Sequence, residues 1–185
     1  VLSIRQAVLD TKPEAMFSIS PAGNNTYNLD VMYADVLKWS QEGLADMIIP
    51  QLYYTTGSAS TSFNHSLHWW SQFTYNNLLA VGYGINNFDE ASANDKYKTN
   101  ADLTAQLAFA KSRHKVSGGV MYSAKYLLSN PVDIMASIKE AYAKPTLPPY
   151  IKRLNAVQPT KPEGLKFNSN DLTWNAVTGV SKYIV

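Results

Sequence analysis

Polar and aromatic side chains stand at the ends of short apolar segments, where they could meet a ligand. Gln51 and Tyr53 follow one such segment, and Tyr54 comes directly after them. Side chains alternate between the two faces of an extended strand, so Gln51 and Tyr53 share a face and Tyr54 lies on the other face or at the rim. A glutamine and a tyrosine are costly to bury alone, so this pair either contacts a polar ligand or forms hydrogen bonds within the protein.

Two later segments supply further candidates. In an extended chain, Ser123 and Lys125 share a face with Met121 near the end of the fourth apolar segment. If these strands close into a barrel, a lysine at its open end needs a partner of opposite charge, so Lys125 is either a ligand contact or half of a structural salt bridge. Tyr83 stands between two glycines, which in a strand often allow a ligand to approach the backbone closely.

The composition excludes several other kinds of chemistry. The sequence has no cysteine, which excludes a disulfide framework, a thiolate nucleophile and a cysteine-based zinc site. His65 and His68 have no acidic ligand beside them, so we expect neither a metal site nor a cofactor. A net charge of +2 without a basic run argues against a nucleic-acid partner, and the apolar runs are too short to span a membrane.

These candidates need a scaffold, and the sequence predicts one of alternating strands and helices. The apolar segments begin roughly 30 residues apart, the size of a βα repeat. Four such units are half of a (β/α)8 barrel, although a small doubly wound sheet would show the same pattern. The predicted strands cover residues 16–20, 46–54, 78–85 and 118–125, and the predicted helices cover 4–12, 33–42, 66–73, 102–114 and 130–143.

The last forty residues change character. Residues 145–161 are rich in proline and predict a semi-rigid linker. In residues 162–185, the pairs Leu172/Trp174 and Tyr183/Val185 look like strands at the start of a fibronectin-III-like sandwich. Such a module needs about 90 residues, so we expect an all-β fragment that is truncated, in a chain truncated at both ends.

Several motifs then point, in their order, to a known family. They are FSISPAG at 17–23, YADVLKWSQEG at 33–43, DMIIPQLYY at 46–54, LHWW at 67–70, VGYG at 81–84 and GVMYSAK at 119–125. Together they resemble the C-terminal half of the bacterial glycosyl-hydrolase-like family 10 domain, over roughly residues 1–155. The resemblance implies that residues 1–144 are the C-terminal half of a (β/α)8 TIM barrel.

The resemblance also implies a function. It suggests part of an exported, lipid-anchored bacterial glycoside hydrolase that acts on a glycan such as peptidoglycan strands lacking stem peptides. The family's acidic strand motif, of the Phe-Asp-Asp-Tyr kind, would lie upstream of Val1. The alternative is a non-catalytic carbohydrate-binding or cell-surface structural protein on the same barrel. Half a barrel exposes strand edges, so we also expect the half barrel to self-associate.

Glycoside hydrolysis normally needs two carboxyl groups beside the scissile bond. None directly follows the predicted strands, and the catalytic residues stay unknown. Asp89 and Glu90 are either one member of that pair or a solvated loop pair. Trp69 and Trp70 either stack on a sugar or pack on the sheet, and we favour packing for Trp70. The predicted glycan-binding residues are Gln51, Tyr53, Tyr54, Tyr83, Ser123 and Lys125.

Overall fold

The alternating segments fold into a parallel sheet with helices packed against it. The computed structural model describes residues 1–154, 159–180 and 183. It contains two compact units, Val1–Ile151 and Lys152–Val185, and the predicted linker spans the boundary between them. In the described part of the chain, no helix is both long enough and apolar enough to cross a bilayer.

The sheet of the first unit has four strands, all parallel, as the sequence predicts. Each strand pairs with the next one along the chain, in the order β1-β2-β3-β4. Beyond the short second strand the pairing continues through bridges from Gln51 to Ala22 and to Gly82. The strands are β1 (Ser18–Ile19), β2 (Met47–Ile48), β3 (Leu78–Tyr83) and β4 (Val116–Met121).

Helices connect the strands and cover one face of the sheet. Gly43 adopts a φ of +65° just past one of them, the left-handed position at which glycine ends a helix without strain. The helices are α1 (Leu2–Thr11), α2 (Asn25–Asp30), α3 (Val36–Gln41), α4 (Phe63–Ser71), α5 (Ala101–Lys111), α6 (Ala124–Ser129) and α7 (Ile134–Ala141).

The strand order distinguishes the two scaffolds that the sequence allowed, a (β/α)8 barrel and a doubly wound sheet. A doubly wound sheet reverses its strand order at a switch point, whereas a barrel keeps its strands in chain order. The four strands here show no reversal. The mixed α/β unit is therefore consistent with a partial α/β barrel.

The two faces of the sheet differ in their surroundings. Leu52, Val81 and Tyr83 belong to the buried core beneath the helices. On the opposite face, Val120 and Tyr122 are about half exposed, at 47% and 55%. This second face corresponds to the interior of a barrel, and it carries Gln51 and Tyr53 because side chains alternate along β2 and the residues that follow it.

One boundary differs from the prediction in a way that matters for the site. β4 ends at Met121 and α6 begins at Ala124, so Lys125 lies in a helix and not in a strand. Alanine, lysine and leucine are good helix formers, and the sequence after Ser123 is made of them together with a tyrosine. The expectation that Lys125 shares a strand face with Met121 is therefore wrong.

The second unit contains an antiparallel hairpin, with β5 (Lys166–Asn168) paired to β6 (Asp171–Thr173). The rings of Trp174 and Tyr183 meet edge to face at 5.0 Å. In the predicted strand that begins at Tyr183, Ile184 and Val185 lie outside the described residues. The hairpin indicates an all-β fragment only weakly, and the fibronectin-III-like module stays a prediction.

Candidate functional site

The residues that follow the four parallel strands meet along one edge of the sheet, here called the carboxyl edge. Its inner-face side chains are Ser20 after β1, Gln51 and Tyr53 after β2, and Tyr122 after β4. The Gln51 amide nitrogen lies 3.4 Å from both the carbonyl and the hydroxyl oxygen of Ser20. At that distance these hydrogen bonds are weak, so the half-exposed amide keeps donor and acceptor capacity for a ligand.

Tyr53 is oriented by its neighbours. Its ring stacks on Tyr122 with centroids 5.9 Å apart and an interplanar angle of 25°. A Cβ at Gly84 would lie 2.9 Å from Cγ of Tyr53, so only glycine leaves room for this ring position. Burial, and secondly the charge that Tyr122 would carry, raise the pKa of Tyr53 above its ordinary value. Its phenol therefore stays protonated and able to donate at neutral pH.

A polar network holds the backbone that carries Tyr53. Asp102, in the first turn of α5, accepts hydrogen bonds from the backbone nitrogen of Thr56 at 3.2 Å and from its hydroxyl at 2.5 Å. Gln106 donates to Asp102 at 2.8 Å and to the Tyr54 carbonyl at 3.1 Å. Because the Asp102 side chain is only 4% exposed, these bonds lie away from water and fix the loop firmly.

Tyr83 does not reach the carboxyl edge. Its side chain is 1% exposed and stacks on Phe63 of α4 at 5.7 Å, on the helix-covered face. Burial raises its pKa, and a Cβ at Gly119 would lie 2.7 Å from its ring. The structure thus places Tyr83 in the core, away from the position that the neighbouring glycines suggested.

Ser123 and Lys125 lie close to the edge but not as predicted. Ser123 is half-buried and precedes the first turn of α6, where its carbonyl accepts the Tyr126 amide at 3.0 Å. Lys125 is exposed, with its ammonium 5.5 Å from the centre of the Tyr126 ring. The structure therefore places Lys125 in the first turn of α6 instead of on a strand face, and its role as a ligand contact stays a prediction.

Tyr54 lies apart from Tyr53, in a separate cavity. The cavity has a volume of about 170 Å³ and is also lined by Gly23 and Trp69. Trp70, beside it, is 2% exposed and donates its indole N–H to the Gly23 carbonyl at 2.8 Å. The interpretation of Trp70 as a core residue is confirmed, whereas Trp69 reaches the cavity.

No aspartate or glutamate directly follows any of the four strands at the carboxyl edge, and the first acids after β3 are Asp89 and Glu90 in the loop. Asp89 accepts the Ala91 backbone N–H at 2.8 Å, as a loop-turn residue does, and Glu90 is exposed. The buried acids Asp46 and Asp102 are engaged with Arg5 and with the Thr56 loop. The described residues also contain no group of histidines and acids placed to hold a metal ion.

The sequence interpretation missed three residues near this edge. Tyr122 could have been found, because it alternates with Met121, which packs against the core. Asp102 carried no signal beyond its position at a helix start. Asn86, three residues after the end of β3, has a buried side-chain oxygen without a partner among the described residues, and only the structure reveals it.

The parallel sheet with its strands in chain order and a polar, aromatic carboxyl edge is the arrangement of α/β-barrel proteins that bind ligands at that edge. Residues 1–101 match the family described as Glycosyl hydrolase-like 10, and the chain belongs to this family. Its homologues are named glycosyl hydrolases, which supports a function related to glycoside hydrolysis.

Two curated relatives illustrate the likeness. Glycosyl hydrolase YngK from Bacillus subtilis (strain 168) is 32% identical over 186 residues, which cover 88% of this chain and 35% of the relative. Glycosyl hydrolase DigH from Escherichia coli (strain K12) is 23% identical over 147 residues, which cover 69% of this chain and 34% of the relative. The chain spans about a third of the length of these curated relatives.

Proposed function

We propose that this chain forms the glycan-binding side of a glycoside hydrolase that acts on bacterial glycans, with peptidoglycan strands as the substrate class. One observation carries the proposal: Gln51 and Tyr53 lie on the inner face of the carboxyl edge, in a member of a glycosyl hydrolase-like family. An amide, a phenol and a stacked aromatic pair suit a sugar, which offers hydroxyl groups and an apolar ring face.

Each residue would have a distinct part in binding. The Gln51 amide would exchange hydrogen bonds with a sugar hydroxyl, because its 3.4 Å contacts to Ser20 leave it incompletely paired. Tyr53 and Tyr122 would line the subsite, with the Tyr53 phenol as a donor. The Asn86 side chain, whose oxygen is buried and unpaired, would have to turn toward the subsite to accept a hydrogen bond from the ligand.

The proposed chemistry is acid/base hydrolysis by two carboxyl groups. In the described part of the chain no carboxylate directly follows a strand at the carboxyl edge, so we assign these groups to other strands of the barrel. The same observation favours one alternative, a carbohydrate-binding protein without catalysis. A peptidoglycan substrate would place the protein outside the cytoplasm, where we propose that it is lipid-anchored.

The test is binding of peptidoglycan glycan strands without stem peptides, measured by calorimetry. Gln51→Ala should weaken binding about fivefold, the equivalent of one net hydrogen bond. Gln72→Ala, which changes an exposed glutamine at the end of α4, is the matched control and should have no effect. Affinity that is unchanged by both Gln51→Ala and Tyr53→Ala would contradict the proposal.

A second assay distinguishes a glycoside hydrolase from a carbohydrate-binding protein without catalysis. Released glycan fragments are measured for this chain and for a protein that carries the complete barrel. The proposal expects cleavage only with the complete barrel. Binding without cleavage by the complete barrel would favour the non-catalytic alternative.

A further inference from the structure

The cavity beside Tyr54 has the size and the chemistry of a site for a single ring. The cavity measures about 170 Å³ and is open to solvent on one side, so a sugar ring could lie in it with its substituents projecting outward. Tyr54 and Trp69 give it two aromatic walls, while Thr61 and His65 add polar groups. None of the described residues that line it is an aspartate, a glutamate, a lysine or an arginine, so it suits an uncharged ligand.

The walls of the cavity are already held in place. Trp69 packs edge to face on Trp70 at 5.1 Å and against Phe73 at 4.6 Å. A Cβ at Gly23 would lie 2.9 Å from the Tyr54 ring, so the ring rests directly on the backbone of Gly23. Because these side chains are fixed before a ligand arrives, binding would cost little additional ordering.

A second observation points to a ligand. Asn25, which also lines the cavity, has a buried side-chain oxygen that has no hydrogen-bond partner among the described residues. Leaving such an oxygen unpaired costs about 1–3 kcal/mol. Turning the amide toward a ligand hydroxyl would break no hydrogen bond of that oxygen, so a ligand with hydroxyl groups would remove this cost.

We propose that this cavity is a second glycan subsite, which accepts one uncharged sugar ring. It is distinct from the carboxyl-edge subsite, because Gln51, Tyr53 and Tyr122 do not line it. Tyr53 and Tyr54 are consecutive but point to opposite faces, so one loop presents an aromatic ring to each subsite. The choice of a sugar as the ligand rests on the proposed function.

The experiment titrates the whole chain with N-acetylglucosamine and follows the indole N–H, histidine and tyrosine ring signals by NMR. The chain has four tryptophans, and Trp69→Leu identifies the Trp69 signal. We expect the sugar to shift the signals of Trp69 and His65. His65→Ala should weaken binding about fivefold, the loss of one hydrogen bond, and Trp69→Leu at least as much.

His68→Ala is the matched control, because His68 is exposed on the same helix and lines a different cavity. It should bind the sugar as the unchanged chain does. Shifts confined to Tyr53 and Tyr122, or no shift at all, would overturn the second subsite. His65 is exposed, so its variant keeps the test decisive even if Trp69→Leu fails to fold. A lost response at Tyr53 alone, with the Trp69 response kept, would count against the carboxyl-edge proposal and leave this one standing.

Discussion

The two faces of the sheet are built from the same strands but have different surroundings and different roles. On the outer face, Leu52 is completely buried under the helices, whereas its neighbour Tyr53 reaches the inner face and is partly exposed. The outer face holds the fold together through apolar packing. The inner face presents polar and aromatic groups that are only partly paired. The comparison teaches that one step along the segment after β2 separates a residue that stabilises the fold from one that we propose contacts the glycan.

The largest expected effect belongs to the outer face. Leu52→Ala should lower the free energy of unfolding by about 2–5 kcal/mol, because it leaves a cavity in a closely packed core. Urea denaturation followed by circular dichroism measures this. Glycan affinity per folded molecule should not change. A loss of glycan affinity in fully folded Leu52→Ala would contradict the separate roles assigned to the two faces.

The next effect concerns the network that joins the faces. Asp102→Ala should cost about 1.5–3 kcal/mol of unfolding free energy, because it removes charge-assisted hydrogen bonds to Thr56 and Gln106. It should also weaken glycan binding, since the loop that carries Tyr53 loses its anchor. Denaturation and calorimetry on the same sample measure both. Asp95→Asn, at a carboxylate whose side chain is 90% exposed, is the control and should stay within about 0.5 kcal/mol. Unchanged binding in the folded Asp102→Ala variant would show that the network serves stability alone.

A smaller stability effect is expected on the inner face. Tyr53→Ala should lower the free energy of unfolding by about 0.5–1.5 kcal/mol for the lost stacked pair, plus a smaller contribution from its partial burial, and by less than Leu52→Ala does. Its main effect should be a loss of glycan affinity. Thermal melts and binding curves are compared with those of Leu52→Ala. If Tyr53→Ala destabilises the protein as strongly as Leu52→Ala, the inner face is part of the core.

The smallest effect is expected at Lys125. Lys125→Met should change stability by less than about 0.5 kcal/mol, because the side chain is exposed on α6. Glycan affinity should change less than it does in Gln51→Ala. The same melts and binding curves measure this. A large loss of affinity at Lys125 would return this lysine to the site.

Much of this arrangement is predictable from the sequence. The apolar segments and their spacing predict four parallel strands, and alternation places Gln51 and Tyr53 on one face. The face of Tyr83 is not predictable, because every residue of β3 is apolar, glycine or aromatic and shows no alternation. Lys125 was misplaced because a period of two residues does not reveal where a strand ends. Asp102 acts through partners some fifty residues away, which no local pattern reports.

The network around Thr56 divides the loop after β2 into a part that is tied to α5 and a part that is exposed. In residues 53–56 the carbonyls of Tyr53 and Tyr54 accept hydrogen bonds from Tyr97 and Gln106, and the Thr56 backbone N–H donates one to Asp102. Residues 57–61 are exposed. Insertions after Gly57 would therefore leave both tyrosines in place while adding new groups to the rim of the Tyr54 cavity. Such insertions would change the surroundings of the proposed second subsite without rebuilding the scaffold.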